Sequence, residues 1–369
     1  GAAEEAAPPA DSPAALHGAR CRRGRGERQA SSAARTVPRV RNTEPGRRYF
    51  VNLEPIKRPM STSLTIATRG SKLALWQAEH VAGLIRQAHA DIDVDFKVVK
   101  TSGDKILDVP LAKVGGKGLF VKEIEEAILA GEADLAVHSM KDVPGELVSG
   151  LTLGVMPERD DAFDCLLSME YPDLQSLPAG ALVGTSSLRR QAQLLALRPD
   201  LEIQTLRGNL DTRLNKLEQG LYDAIVVASV GLKRLGLTAP HAFPLVPPDF
   251  FPALGQGALG IEYPEDNARL HSLLAGLDHA QTRVTVTAER SFLHELEGGC
   301  QVPIGGMARM EDDQVFLQGF VSDLQGKRVI MEQGRAGCRE AEGLGRSLAR
   351  RVLDRGGREI LREIYSCGE

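Results

Sequence analysis

Ala181-Leu-Val-Gly-Thr-Ser-Ser-Leu-Arg-Arg190 is an apolar run, Ala181–Thr185, that turns through small and hydroxylated residues straight into a helical pattern over Leu188–Leu197. A strand that becomes a helix within one turn is half of a βα unit. The unit continues with a strand at Leu201–Leu206, a helix at Leu210–Gln219 and a strand at Ala224–Ala228. An earlier series has the same order: Leu64–Thr68 (strand), Leu73–Gln87 (helix), Val94–Val99 (strand), Leu119–Ala130 (helix) and Ala133–His138 (strand). Each series predicts a lobe built on a mainly parallel sheet. Beyond Pro252 and Gly255-Gln-Gly257, Ala258–Tyr263 has strand character and is expected to return to the first lobe. From about residue 280 the order changes to a helix (Arg283–Leu296), three strands (Val302–Ala308, Val315–Val321, Arg328–Gln333) and terminal helices. Clustered strands followed by helices predict an α+β third domain.

The chain has 369 residues, enough for two or three cores, and a single Trp, so aliphatic side chains must fill them. Its formal charge of −4 conceals an asymmetry. Residues 1–59 hold 12 Lys+Arg and 6 Asp+Glu, which leaves 33 and 43 in residues 60–369, a balance of −10. An acidic body argues against nucleic acid as a partner. Residues 1–59 are rich in Ala, Arg, Pro, Gly and Ser without apolar period, so they are expected to be disordered. The start of the protein proper is expected at Met60, with residues 1–59 as upstream or artefactual sequence. The alternative is an organelle transit peptide. No run is long enough to cross a bilayer, and the five scattered cysteines suggest a reducing compartment rather than a disulfide framework.

Against that acidic background, cations gather at strand ends. Thr185, Ser187, Arg189 and Arg190 form a hydroxyl-rich helix start with two arginines in its first turn. The macrodipole disfavours cations there, so an anion site explains them better than helix stability does. Arg207, before Gly208-Asn209, and Arg213 in the following helix repeat the arrangement, and Arg69, ahead of Gly70-Ser71, is its counterpart in the other lobe. Ligands of open α/β sheets bind at such strand ends, and guanidinium forks suit carboxylates. A polycarboxylate between two lobes accounts for all five arginines.

Ser139, Lys141 and Asp142 end another strand, in Val137-His-Ser-Met-Lys-Asp-Val-Pro144. A carboxylate in a cleft can stabilise a developing cation or relay protons; the plainer alternative is a hydrogen-bonding turn residue. His138 is expected to be only a strand residue. Lys113, Lys117 and Phe120 lie in a glycine-rich basic segment that lacks P-loop spacing and is expected to act as a lid. Cys300, in Glu297-Gly-Gly-Cys-Gln-Val-Pro-Ile-Gly-Gly306, has no partner cysteine nearby. It is either an exposed, attachable thiol or a buried small hydrophobe, and no metal site is expected.

Together these segments resemble the porphobilinogen deaminase (hydroxymethylbilane synthase) family from about Leu64 to the C-terminus, through Ala67–Ala78, Lys113–Glu123, Ala136–Pro144, Gly184–Gln191, Leu206–Leu214, Gly255–Glu262 and Leu296–Gly305. The resemblance implies two lobes of the type II periplasmic-binding-protein kind and a third domain carrying a dipyrromethane cofactor on Cys300 through a thioether. The expected division is residues 60–158 with 257–276, residues 159–256, and residues 280–369. It implies an enzyme of tetrapyrrole biosynthesis that adds four porphobilinogen molecules to that primer, with loss of ammonia, and releases hydroxymethylbilane. By the resemblance, Asp142, Lys141 and Arg69 are catalytic; Cys300, Asp142, Lys141, Ser139, Thr185, Ser187, Arg189, Arg190 and Arg213 hold the cofactor; Arg69, Ser71, Arg207, Arg213 and Arg234 bind substrate. A cytoplasmic monomer is expected, or a plastid stromal one if residues 1–59 are a transit peptide. The competing class is a non-enzymatic anion-binding protein, which explains the arginines but not Cys300.

Overall fold

Along β1 (Thr62–Arg69), Leu64 and Ile66 face one side of a sheet and Ala67 the other. Helix α1 (Lys72–Ala88) covers the first face with Ala78, Val81, Ala82 and Ile85, and α2 (Lys122–Leu129) covers the second with Ile124 and Ile128. Leu64 and Ile66 alternate with Thr65 and Ala67, and that period of two is what makes the segment legible as a strand in sequence. The computed structural model describes residues 62–105, 121–296 and 302–366.

β1 pairs in parallel with β2 (Ile92–Val99) and β3 (Leu135–Ser139), and β4 (Leu151–Val155) closes that side. The chain then crosses to a second sheet containing β5 (Asp164–Ser168), β6 (Leu182–Gly184), β7 (Glu202–Gln204), β8 (Ala224–Ala228) and β9 (His241–Leu245). Its helices are α3 (Leu188–Leu197), α4 (Leu210–Glu218) and α5 (Ser229–Leu235). A second crossing leads to β10 (Leu259–Pro264), which enters the first sheet between β3 and β4. The orders are β2-β1-β3-β10-β4 and β7-β6-β8-β5-β9. The two sheets share one plan: three parallel strands, then an antiparallel strand brought in by a crossing, then an edge. These are two lobes of the type II periplasmic-binding kind.

The expectation of mainly parallel sheets therefore needs amending, because β10 and β5 run against their neighbours. Among the described residues, the strands β4, β5 and β9, the helices α5 and α6 (Ala268–Leu274) and a single helical turn at Ser102–Lys105 escaped the sequence reading. β9 contains Pro244, which an edge strand tolerates because only one side of it must donate hydrogen bonds.

The third sheet, β11 (Ile304–Glu311), β12 (Gln314–Ser322) and β13 (Val329–Gly337), is antiparallel. β11 and β12 join through Asp312-Asp313, with Asp312 at φ 53°, a conformation Asp tolerates in tight hairpins. The sheet packs on α7 (Ala280–Glu295), α8 (Ala341–Val352) and α9 (Arg358–Ser366) through Phe292, Leu317, Val321, Leu348 and Ile360.

One buried ion pair joins this α+β unit to both crossings. Arg159, in the first crossing, donates to Glu289 of α7 with Nη1 at 2.7 Å and Nη2 at 3.1 Å. The same carboxylate accepts from Gly255 N at 2.5 Å in the second crossing and from Ala308 N at 2.7 Å in β11. Removing one partner leaves the other charge buried without compensation. Glu289→Ala should cost about 3–5 kcal/mol of stability, read from urea unfolding followed by circular dichroism. An unchanged midpoint would contradict the role given to this pair.

Candidate active site

The carboxyl ends of β1, β3, β6 and β7 hold most of the residues singled out in the sequence. Ser71 caps α1 by accepting from Ala74 N at 3.2 Å, and Ser187 caps α3 by accepting from Arg190 N at 3.5 Å. Neither helix has an acidic residue in its first turn, so both present uncompensated positive ends. Thr185 is buried, and its hydroxyl accepts from Ser187 N at 3.2 Å, which fixes the turn. Ser139 ends β3 and accepts from Gln77 Nε2 at 2.9 Å. Beyond it a single 3-10 turn, Met140–Asp142, buries Met140 and leaves Asp142 exposed. Arg69 ends β1, half-buried.

Asp164, the first residue of β5, organises the arginines. Arg190 donates to its Oδ1 at 2.7 Å, and Arg189 Nη2 lies 2.8 Å from Oδ2 as an ion pair without hydrogen-bond alignment. Arg189 Nη1 also donates to Phe251 O at 2.6 Å and Arg190 Nη1 to Val226 O at 2.9 Å. Burial by itself pushes the Asp164 carboxyl up. The two guanidinium groups, with hydrogen bonds from Arg190 and Gln256, overcome this and hold it well below the usual carboxylate range. Much of each arginine's hydrogen-bonding capacity is thus used inside the protein, more than the sequence suggested. The buried Nε of Arg190 still has no hydrogen-bond partner.

Lys141 donates to Gln256 Oε1 at 3.1 Å. Burial lowers its pKa, Asp142 and Asp164 oppose that, and Arg190 and Arg189 add to it. Arg213 donates Nε to Gly208 O at 2.9 Å. Burial, then Arg190 and Arg207, bring its pKa down to about 10, against the pull of Asp142. Arg207 and Arg213 are close enough to influence each other electrostatically. Lys141, Arg189, Arg190, Arg207 and Arg213 therefore influence one another in the presence of two carboxylates, Asp142 and Asp164. Among the described residues, Lys141, Arg189, Arg190 and Arg213 outnumber Asp142 and Asp164, an excess of cations. A group bearing several carboxylates fits that excess, and the unpartnered Arg190 Nε is a donor it can use.

Arg234 lies elsewhere. It is buried beside the crossings, with Nη2 donating to Gly257 O at 3.1 Å, Nε 3.8 Å from Asp160, and its guanidinium 5.3 Å from the centre of the Trp76 ring. With the Lys72–Asp211 pair at 3.0 Å, this contact joins α1 of one lobe to α4 and α5 of the other. His138 is a buried strand residue and has a partner, Glu262 Oε2 at 2.8 Å. Cys300, Lys113, Lys117 and Phe120 lie outside the described residues. Sequence reasoning missed Asp164 and Gln256. Among the described residues no cluster of His, Cys, Asp and Glu suits a metal ion, and no helix is long and apolar enough to cross a membrane.

Two lobes with cations gathered at their strand ends, joined to an α+β unit, define the class of fold to which the site belongs. Residues 64–272 match the family model "Porphobilinogen deaminase, dipyromethane cofactor binding domain", and residues 283–354 match "Porphobilinogen deaminase, C-terminal domain". A porphobilinogen deaminase of Nitratidesulfovibrio vulgaris (strain DP4) is 63% identical over 307 residues, 83% of this chain and 98% of the relative. Those of Maridesulfovibrio salexigens and Lawsonia intracellularis are 57% and 51% identical, each over 82% of this chain and 98% of the relative. The chain belongs to the porphobilinogen deaminase family. Its reaction is the head-to-tail joining of four porphobilinogen molecules, with loss of ammonia, on a dipyrromethane primer, to give hydroxymethylbilane.

Proposed function

We propose that elongation takes place between the lobes, at Asp142, with the arginines neutralising the carboxylates of the growing chain. The observation that carries this reading is that, among the described residues, Lys141, Arg189, Arg190 and Arg213 outnumber Asp142 and Asp164. Each pyrrole brings an acetate and a propionate, so every addition raises the demand for fixed cations.

Dipyrromethane, when bound, supplies the nucleophilic pyrrole carbon to which the first substrate is joined. Cys300 is the residue proposed to bear it. Ser139, Thr185, Ser187, Arg189, Arg190, Arg213 and Lys141 are proposed to hold its side-chain carboxylates. In this assignment Arg189, engaged by Asp164 and Phe251, positions its neighbours more than it binds. Arg69, Ser71, Arg207 and Arg213 orient the incoming substrate. Arg234 serves the same step indirectly, by holding the crossings against Trp76.

As ammonia leaves, positive charge develops on the substrate ring nitrogen. Asp142 stabilises that charge and takes or returns protons at the pyrrole N–H, while Lys141 completes the local charge balance. Lys113, Lys117 and Phe120 are proposed to close over the cleft. The lobes are assigned to residues 60–158 with 257–276 and to 159–256, and the cysteine-bearing domain to 280–369. The protein is proposed to act as a cytoplasmic monomer.

Arg207→Ala tests the carboxylate-binding reading. Elongation should stall with substrate still attached, so that intact-mass spectra after incubation with porphobilinogen show partial chains accumulating on the protein. Unchanged turnover, or free dissociation of all intermediates, would contradict it.

A further inference from the structure

Gly255-Gln-Gly257 sits in the second crossing, where the chain passes back from one lobe to the other. Both glycines have positive φ, +76° and +86°. A Cβ at Gly255 would come within 3.1 Å of Lys141 N, and one at Gly257 within 2.6 Å of the Asp160 carbonyl oxygen. The two glycines let this segment press against the Asp142 turn on one side and the first crossing on the other. Asp160 N donates to Gly257 O at 3.3 Å, so the two crossings run side by side.

Gln256, between these glycines, is 1% exposed, and its amide is fully used. Nε2 donates to Ala162 O at 2.7 Å and to Asp164 Oδ1 at 2.9 Å, and Oε1 accepts from Lys141 Nζ at 3.1 Å. The amide therefore connects the cation next to Asp142 in one lobe to the carboxylate that gathers Arg189 and Arg190 in the other. Its own carbonyl oxygen accepts from Arg159 Nε at 2.9 Å, which ties the same residue to the Glu289 pair. Only an amide satisfies both sides. A carboxylate would set acceptor against acceptor at Asp164 and Ala162, and an alkyl chain would leave the Lys141 ammonium without its acceptor.

We infer that Gln256 is a positioning residue for chain elongation, fixing Lys141, and through it the Asp142 turn, relative to the arginines of the opposite lobe. The inference rests on the proposed role of Asp142. The charged groups around Lys141 are Asp142 on its own turn, Asp164 on β5, and Arg189 and Arg190 on α3. With Gln256 in place, neither carboxylate is the direct hydrogen-bond acceptor of the ammonium. Loss of the amide frees Lys141 to turn onto Asp142 and occupy the carboxylate that substrate needs.

The test compares Gln256→Met and Gln256→Glu with the parent protein, measuring kcat, KM, the pH profile of kcat and the intact mass. Gln256→Met should lower kcat by about a hundredfold, the scale of a small misplacement of catalytic groups, with KM changed by less than about threefold. The primer mass should be retained. Gln256→Glu adds a negative charge beside Lys141, which favours the ammonium. The alkaline limb of its pH profile should move to higher pH, which reports that the Lys141 ammonium held by residue 256 sets that limb. Parent-like kcat in Gln256→Met, or an unmoved alkaline limb in Gln256→Glu, would overturn the inference. Asp142→Ala measured alongside separates the two levels. An active Asp142→Ala sinks the reading of the site, whereas an inactive one beside a fully active Gln256→Met sinks only the role of Gln256.

Discussion

Asp142→Ala should lower kcat by about a hundred- to a thousandfold while leaving a folded, primer-bearing protein. The size follows from how few carboxylates the cleft offers. Among the groups that influence Lys141, the anions are Asp142 and Asp164. Asp164 is fully buried and already engaged by Arg189, Arg190 and Gln256, which keeps it from a substrate cation. Without Asp142, the developing positive charge on the pyrrole would face only Lys141 and the arginines, which oppose it. Asp142→Asn separates charge from shape. It should be nearly as inactive as the alanine variant, and Asp142→Glu should recover part of the loss. The check is single-turnover kinetics with porphobilinogen, together with an intact mass to establish that the primer is present. Near-normal turnover of the alanine variant would remove Asp142 from the mechanism.

Asp164→Asn should be the most damaging change to the fold of the second lobe. It leaves two buried guanidinium groups, Arg189 and Arg190, without a counter-charge. Breaking a buried ion pair from one side costs about 3–5 kcal/mol, and here two cations share one anion. The pH dependence has a definite sign. The folded carboxyl is held below the ordinary aspartate value of 3.8, so its contribution to stability is fully present above that value and is lost as pH falls toward the folded pKa. Above pH 4 the parent should therefore exceed Asp164→Asn by a constant margin, and the two should converge as the solution is acidified further. Urea midpoints measured across that range test both statements. Equal stability at neutral pH would contradict the assignment.

The contrast between these two aspartates explains what the sequence could reveal. Asp142 was legible because it stands beside Lys141 at the end of an apolar strand, a place where α/β folds put ligands. Asp164 was not. It begins a five-residue strand just after Arg159-Asp-Asp-Ala-Phe, a stretch that resembles a polar connector. Its partners, Arg189 and Arg190, meet it only once β5 has been inserted antiparallel beside β8. Local pattern carries no information about strand direction. For the same reason the sheets were expected to be mainly parallel, although β5 and β10 are set antiparallel by the path of the crossings.

α3 was read to the residue because a hydroxyl cap, an apolar period and a strand before it all agreed. Gln256 lay in a motif noticed for its glycines, yet its function depends on Lys141, Ala162 and Asp164 arriving from three other places in the chain. Arg234 was assigned to substrate through the resemblance alone. On α5 it contacts Trp76 and the crossings, and an unread helix could not have disclosed that.

The most direct test of a tethered polyanion held between two lobes is peptide-level mass spectrometry of the purified protein, before and after brief incubation with porphobilinogen. The account predicts that the peptide containing Cys300 carries a dipyrromethane, and that further pyrrole units add to that same peptide in whole-number steps. A Cys300 peptide with only its encoded mass, in protein that turns over substrate, would contradict it.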